Sequence, residues 1–364
     1  MWSFAVHDAR TGDPLLPVTP SGGDCTRRIT GNGSGSHLFK LLDEETGLDR
    51  ATARDLFEPN RRLLAVKWDG YPVYAGFCQV ADYERSTGTL TVPHVEFRQQ
   101  LRYRLTYGVG NAGPIPGDPE GDGQGDLSVT ARSHSGAARA AFARAMQWNS
   151  AWTLPIDLPL DGAGPFSAAW KWYDNKTIED LLQEIEAEGY EVDLHPYLTS
   201  SGQLRFRPRI GAPIVEGAAD LPVTAEESDV VDLKVKLDGT KQLTGVIMGG
   251  NGSEADKLLA AVGSTPGPDI LIRDVYRSND VTDPTALARI AAAELAADRY
   301  PIEQWSFGVN LAGATSPLDL LPGSVLQMDT YGDPWITDGP HPQRVVSLKV
   351  DMSTTATPEV QPHG

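Results

Sequence analysis

Cysteine is scarce: two in 364 residues, Cys25 and Cys78. Two thiols exclude a disulfide framework and a four-thiolate zinc site. Cys78 lies in a strand-like run and reads as a small buried hydrophobe. No apolar run approaches the ~18 residues of a membrane span. The start, MWSFAVHDARTGD, lacks the basic and apolar stretches of a signal peptide, so the expectation is a soluble product of the cytosol. Positive charge is also short: 31 Lys and Arg face 49 Asp and Glu, for a net −18. Proteins that grip nucleic acid carry the opposite balance, because phosphate contacts need cations.

Catalytic patterns are missing too. There is no G-x-S-x-G elbow, no H-E-x-x-H helix and no Walker-type phosphate loop. Gly31-Asn32-Gly33-Ser34-Gly35 lacks the lysine of such a loop and reads as a flexible connection. His94 and Glu96 lie two apart on a strand, an arrangement that seldom makes a site. The best metal candidate is Asp118, Glu120, Asp122, Gly123 and Asp126, which match positions 1, 3, 5, 6 and 9 of a calcium loop. Position 12 is Val129 rather than Glu, and Pro119 sits inside, so a disordered acidic loop is the default. No cofactor is expected.

Glycine (37) and proline (27) are plentiful, which favours turns over long helices. Leu63–Val92 reads as three strands. Asp69-Gly70 is a hairpin signal, Val73, Ala75 and Phe77 share a face, Pro72 suits a strand start, and Ser86-Thr87-Gly88 forms the second turn. Val95–Leu105 is either a further strand or a short helix, with its arginines on a solvated face. Residues 108–126 have too little apolar content to fold alone.

Ala138, Ala141, Phe142 and Ala145 make a narrow helical stripe. Thr177 caps a second helix, with Asp180 completing a short capping box and Gly189 stopping it. Burying its Ile178, Leu181, Leu182 and Ile185 stabilises by about 6–12 kcal/mol as an upper bound. Glu179, Asp180, Glu184, Glu186 and Glu188 read as a solvated outer face without basic partners. Strands from Glu191 and Leu204 follow, joined through Ser200-Ser201-Gly202. VVDLKVKL and LTGVIM are two more, joined at Asp238-Gly239. Asp283 caps a helix with Pro284 in its first turn and a stripe of Leu287, Ile290, Ala291 and Leu295. Strands return at Trp305, Ser324 and Arg344. Val350–Val360 echoes Val80–Val92, which suggests related β modules at the two ends.

Residues 68–92, residues 177–211, and LLPGSVLQM with RVVSLKVDMSTTATPEV at 320–360 resemble the hub proteins of bacteriophage tail tips, also called minor tail or baseplate hub proteins. The resemblance implies a mainly β fold with two similar β-barrel domains and an α+β insertion. It divides the chain into an N-terminal barrel (1–107), a Gly/Pro/acidic loop (108–127), an α+β insertion (128–215) and a C-terminal barrel (216–364) holding a helix at 283–299. Strands near 204–240 are candidates to complete the first barrel. It further implies a homotrimeric ring in the virion tail tip that meets the tail tube, a distal tail protein and other tip proteins. DNA would pass through without specific binding, and the chain would be no enzyme. The rival is a receptor- or carbohydrate-binding tail protein using Trp335 or Tyr331; a cell-wall hydrolase ranks behind both.

Overall fold

The computed structural model describes residues 1–41, 48–107, 125–147, 150–253, 256–263, 274–278 and 281–363. The chain opens with β1 (Trp2–Asp8), β2 (Pro14–Val18), β3 (Gly22–Arg28) and β4 (Ser34–Lys40). Helix α1 (Arg50–Leu56) leads into the expected meander: β5 (Arg62–Trp68), β6 (Tyr71–Cys78), the short β7 (Asp82–Glu84) and β8 (Thr89–Glu96). Asp69 and Gly70 close the first hairpin at φ 48° and 87°, the left-handed pair that matches strand twist. Strand β6 departs from simple alternation, since every residue from Pro72 to Cys78 is buried. Ala75 and Phe77 join Leu63 and Ala65 in a core shared with helices. On the other side Tyr74 meets His94. Both sides of this strand are covered, so it reads as a continuous apolar run.

Within Gly31–Gly35, the part from Gly33 is a tight strand entry rather than a flexible connection. A Cβ on Gly33 would sit 2.0 Å from the Thr26 carbonyl oxygen, and one on Gly35 would sit 2.3 Å from that of Asp24. Backbone approaches backbone here, and only glycine fits.

Val95–Leu105 takes the helical option, as a 3-10 helix at Phe97–Tyr103. The α+β part follows: β9 (Leu127–Arg132), α2 (His134–Met146), β10 (Phe166–Trp170), α3 (Ile178–Ala187), β11 (Glu191–Leu198) and β12 (Leu204–Gly211). Helix α3 forms as its sequence dictates. Thr177 and Asp180 exchange the reciprocal capping bonds, and Gly189 leaves at φ 88°. Ile178, Leu181, Leu182 and Ile185 are fully buried. They share one core with the Ala138, Ala141, Phe142 and Ala145 stripe of α2 and with Phe97 and Phe206. Small alanines let the two helices close on each other.

The chain continues through β13 (Ala218–Pro222), β14 (Val230–Asp238), β15 (Gly245–Gly249), β16 (Leu259–Gly263), β17 (Asp274–Ser278), α4 (Pro284–Asp298), β18 (Ile302–Asn310), β19 (Val325–Thr330), β20 (Gly339–Val350) and β21 (Thr355–Pro362). Contacts divide it into two units, residues 1–232 with 307–364 and residues 233–306. In the smaller unit β15 pairs antiparallel with β16 and parallel with β17, and Leu287, Ala291 and Leu295 of α4 pack on it. Asp238-Gly239 therefore joins no hairpin: β14 and β15 are both strands, but β15 takes its partners from later in the chain. In the larger unit the strands run in the order β21-β20-β3-β4-β8-β6-β5-β1-β2, with β19 also on β20 and β13 parallel to β19. The fold is mainly β, and among the described residues no closed barrel is detected. No helix of the described residues is long and apolar enough to cross a membrane.

Candidate functional site

Three features of the larger unit carry its polar chemistry. The first ties the ends of the chain to β11 and β12. Arg27 of β3, 1% exposed, donates through Nη2 to Asp193 Oδ2 at 3.1 Å and meets His195 Nδ1 at 3.1 Å. Arg209 Nε reaches the same Asp193 oxygen at 2.7 Å, while its Nη1 and Nη2 hold Glu216 and the Pro322 carbonyl. Arg344 of β20 forks onto Glu191 at 2.6 and 2.8 Å. Paired, bidentate geometry is what lets buried charges persist. Burial alone would raise the Asp193 pKa, but Arg27 and Arg209 overcome it and hold the carboxyl below its usual range. Burial, then the same two guanidiniums, pushes His195 down to about 3. Glu96, half-buried nearby, is pushed up to about 7, mainly by loss of water.

The second feature corrects two expectations. Arg98, from the segment expected to lie on a solvated face, is 4% exposed. Its Nε donates to Glu179 at 2.9 Å, its Nη1 and Nη2 fork onto Glu186 at 2.7 and 2.8 Å, and Nη1 also reaches the Val192 carbonyl. Arg104 likewise donates to the carbonyls of Ala145 and Trp152. The acids of α3 are correspondingly partnered: Glu184 by Lys176 and Trp170, Glu188 by His134. Partners outside the helix, Arg98 the most distant in sequence, meet a face that looked unopposed.

The third feature is a buried aromatic relay. Tyr74 Oη lies 2.9 Å from His94 Nδ1, and His94 Nε2 lies 2.8 Å from His37 Nδ1. The imidazoles stack with centroids 5.0 Å apart. Burial lowers His37 to about 4 and His94 to about 3, so both rings are neutral near pH 7. Cys25 and Cys78 are buried as well, and burial pushes Cys78 up to about 12. His94 and Glu96 thus belong to two different interior clusters. Sequence reasoning missed these networks; buried polar residues in alternating strands were their only signal.

Of the calcium-loop candidates, Asp118, Glu120 and Asp122 lie outside the described residues. Asp126 is spoken for: it accepts from Lys171 Nζ at 2.6 Å and from the Trp172 N–H at 3.0 Å. Among the described residues no group of three or more His, Cys, Asp or Glu could hold a metal ion. Tyr331 and Trp335, by contrast, stand in the open at 80% and 72% exposure on the loop between β19 and β20. That loop is clamped. Asp333 Oδ1 accepts from the N–H groups of Trp335 (2.8 Å) and Ile336 (2.7 Å), and Asp338 Oδ1 from that of Gly332 (2.7 Å).

Neither a family model nor a curated protein sequence matches the chain. Solved structures do. The chain is similar to the tail protein from Neisseria meningitidis MC58 at 15% identity and TM-score 0.56, covering 100% of this chain and 96% of that one. It is similar to the 43 kDa tail protein of prophage MuSo2 from Shewanella oneidensis at 10% identity and TM-score 0.58, covering 98% of each. The E. coli c3393 protein matches at 9% identity and TM-score 0.50, over 96% of this chain and 74% of that one. That protein is a component of the type VI secretion system, structurally similar to the T4 bacteriophage tail proteins gp27 and gp5. At such identities the likeness establishes a common fold.

Proposed function

From a fold held in common with phage tail proteins, we infer that this chain is a non-enzymatic structural component of a phage tail tip. Its role is that of a baseplate hub: a homotrimeric ring between the tail tube or distal tail protein and the other tip proteins. It assembles in the host cytoplasm and resides in the virion. One observation carries the reading, namely that the match to two tail proteins runs over at least 96% of both chains. An isolated shared module would leave much of one partner unmatched. The similarity of c3393 to the T4 tail proteins gp27 and gp5 supports a place in the tail.

In this reading residues 1–107 and 216–364 supply two related β modules per chain, so a trimer presents six around a ring. Residues 108–127 connect, and 128–215 form the α+β insertion. Side-by-side contacts of about 1,200–2,000 Å² each would hold such a ring. A net charge of −18 suits a conduit that must not bind the DNA it passes. Mass measurement in solution, with neighbouring tail proteins added, and imaging of the particles test this. A three-copy ring with an acidic or neutral bore is the expected result. A strict monomer in the presence of all neighbours, a bore lined continuously by Lys and Arg, or virions whose tips omit this chain would sink it.

The exposure of Tyr331 and Trp335 favours a second reading, a receptor- or carbohydrate-binding tail protein. Binding of the isolated chain to a glycan array would support it.

A further inference from the structure

We propose that the loop after β19, together with the turn after β13, is a docking surface for a positively charged protein partner anchored by Tyr331 and Trp335. The inference rests on the tail-protein reading for the identity of its partners, but its residues come from geometry. β13 and β19 run parallel, and the Val223 N–H donates to the Asp329 carbonyl at 2.9 Å. The Tyr331 N–H then donates to Thr224 Oγ1 at 3.0 Å, which sets the turn at 223–228 beside the loop at 331–338.

Two properties coincide there. The loop is already ordered: besides the Asp333 and Asp338 bonds, Thr330 Oγ1 donates to the Thr337 carbonyl at 2.7 Å, and His341 Nε2 lies 2.8 Å from the same oxygen. Large aromatics on a preorganised loop lose little entropy on binding and are the residues that dominate interface energetics. The second property is charge of one sign. Residues 210–232 contain six Asp and Glu, residues 307–343 contain four, and neither stretch has a single Lys or Arg. Asp220, Glu226, Glu227 and Asp329 are exposed, and among the described residues none of them forms an ion pair.

These properties choose the occupant. A second copy of a chain at −18 brings like charge to this face, and a polyanion does the same. A neutral sugar would cover the aromatic rings but leave the charge of the exposed acids unopposed. A protein with an apolar recess rimmed by Lys and Arg answers both the aromatics and the unpaired acids.

The test uses the full chain against the tail-tube and tail-tip proteins of the same particle, each purified singly, and against a panel of oligosaccharides. Tyr331→Ala with Trp335→Ala, and separately Glu226→Lys with Glu227→Lys, change exposed positions; matched melting curves verify folding. One tail protein should bind. The alanine pair should weaken it about 30-fold or more. The charge swap should weaken it about tenfold and abolish most of its salt dependence. Binding that both variants leave intact overturns this inference and spares the tail reading. Binding to no tail protein overturns both. Trp335-dependent capture of an oligosaccharide, or Trp335-dependent self-association, overturns it in favour of the glycan or of a second copy.

Discussion

Arg98 shows how much one side chain can hold. Its guanidinium joins the 3-10 helix after β8 to Glu179 and Glu186 of α3 and to the backbone of β11. Truncation leaves Glu179, itself 1% exposed, as a buried charge with only the Gln183 amide, at 3.3 Å, to meet it. Arg98→Met should therefore cost about 3–5 kcal/mol in urea denaturation. Adding Glu179→Gln should restore part of the loss; if it restores none, uncompensated charge is not the cause. The histidines make a second prediction at this scale. A histidine held near 3 or 4 when folded takes up its proton only on unfolding, where its pKa is about 6.5. Stability therefore falls as pH drops from about 6.5 toward 4, with His37, His94 and His195 all contributing. Glu96 opposes them, since a carboxyl raised to about 7 loses stability as pH rises through the window from 4.5 to 7. Three groups outweigh one, so the melting temperature should be lower at pH 5 than at pH 7. His94→Gln should flatten that slope; an unchanged slope refutes the assignment.

At the scale of elements, local signals were readable and distant ones were not. Thr177 and Asp180 mark the start of α3 and Gly189 its end, all within one short stretch, and the helix obeys them. Thr177→Ala should cost about 1 kcal/mol of stability. Leu182→Ala, at a fully buried position, should cost about 2–5 kcal/mol. Chemical denaturation of the two variants would separate cap from core. The Asp69-Gly70 hairpin was legible for the same reason. Asp238-Gly239 carried a similar signature, yet β15 pairs with β16 and β17, because a turn dipeptide says nothing about partners waiting downstream. Gly33 and Gly35 looked loose because glycine marks both mobility and close approach. Only the carbonyls of Thr26 and Asp24 decide between them, and those belong to the facing strand. Gly33→Ala should disrupt the β3–β4 pairing and lower the melting temperature sharply, whereas Gly332→Ala, at φ 70° with open space around it, should show only the modest strain of its backbone angle. Equal effects would contradict the packing argument.

For the molecule as a whole, the mainly β class and the α+β segment were visible in the pattern of turns and stripes. The ionic networks were not, since Arg98 and Glu179 stand 81 positions apart and Arg27 and Asp193 stand 166 apart. Charge composition alone cannot tell a solvated acid from one clasped by a distant arginine. The acidic, aromatic end after β13 and β19 was half visible: Tyr331 and Trp335 stood out, while the neighbouring turn at 223–228 joined them only through the fold. Burial of both thiols offers a global readout. Cys25 and Cys78 should resist an aqueous thiol reagent in the native protein and react at the rate of unfolding. Rapid modification without loss of structure would mean that the sheet interior opens locally.

Strand β20 lies inside the sheet, with β21 along one side and β19 then β3 along the other, where Ser347–Val350 align with Cys25–Arg28. Strands β3 and β20, more than 300 residues apart, are thus adjacent rungs of one ladder. During synthesis β3 must wait, uncovered on that side, until β20, more than 300 residues later, has left the ribosome. A stop before Gly339 would accordingly remove not a fringe but an interior rung.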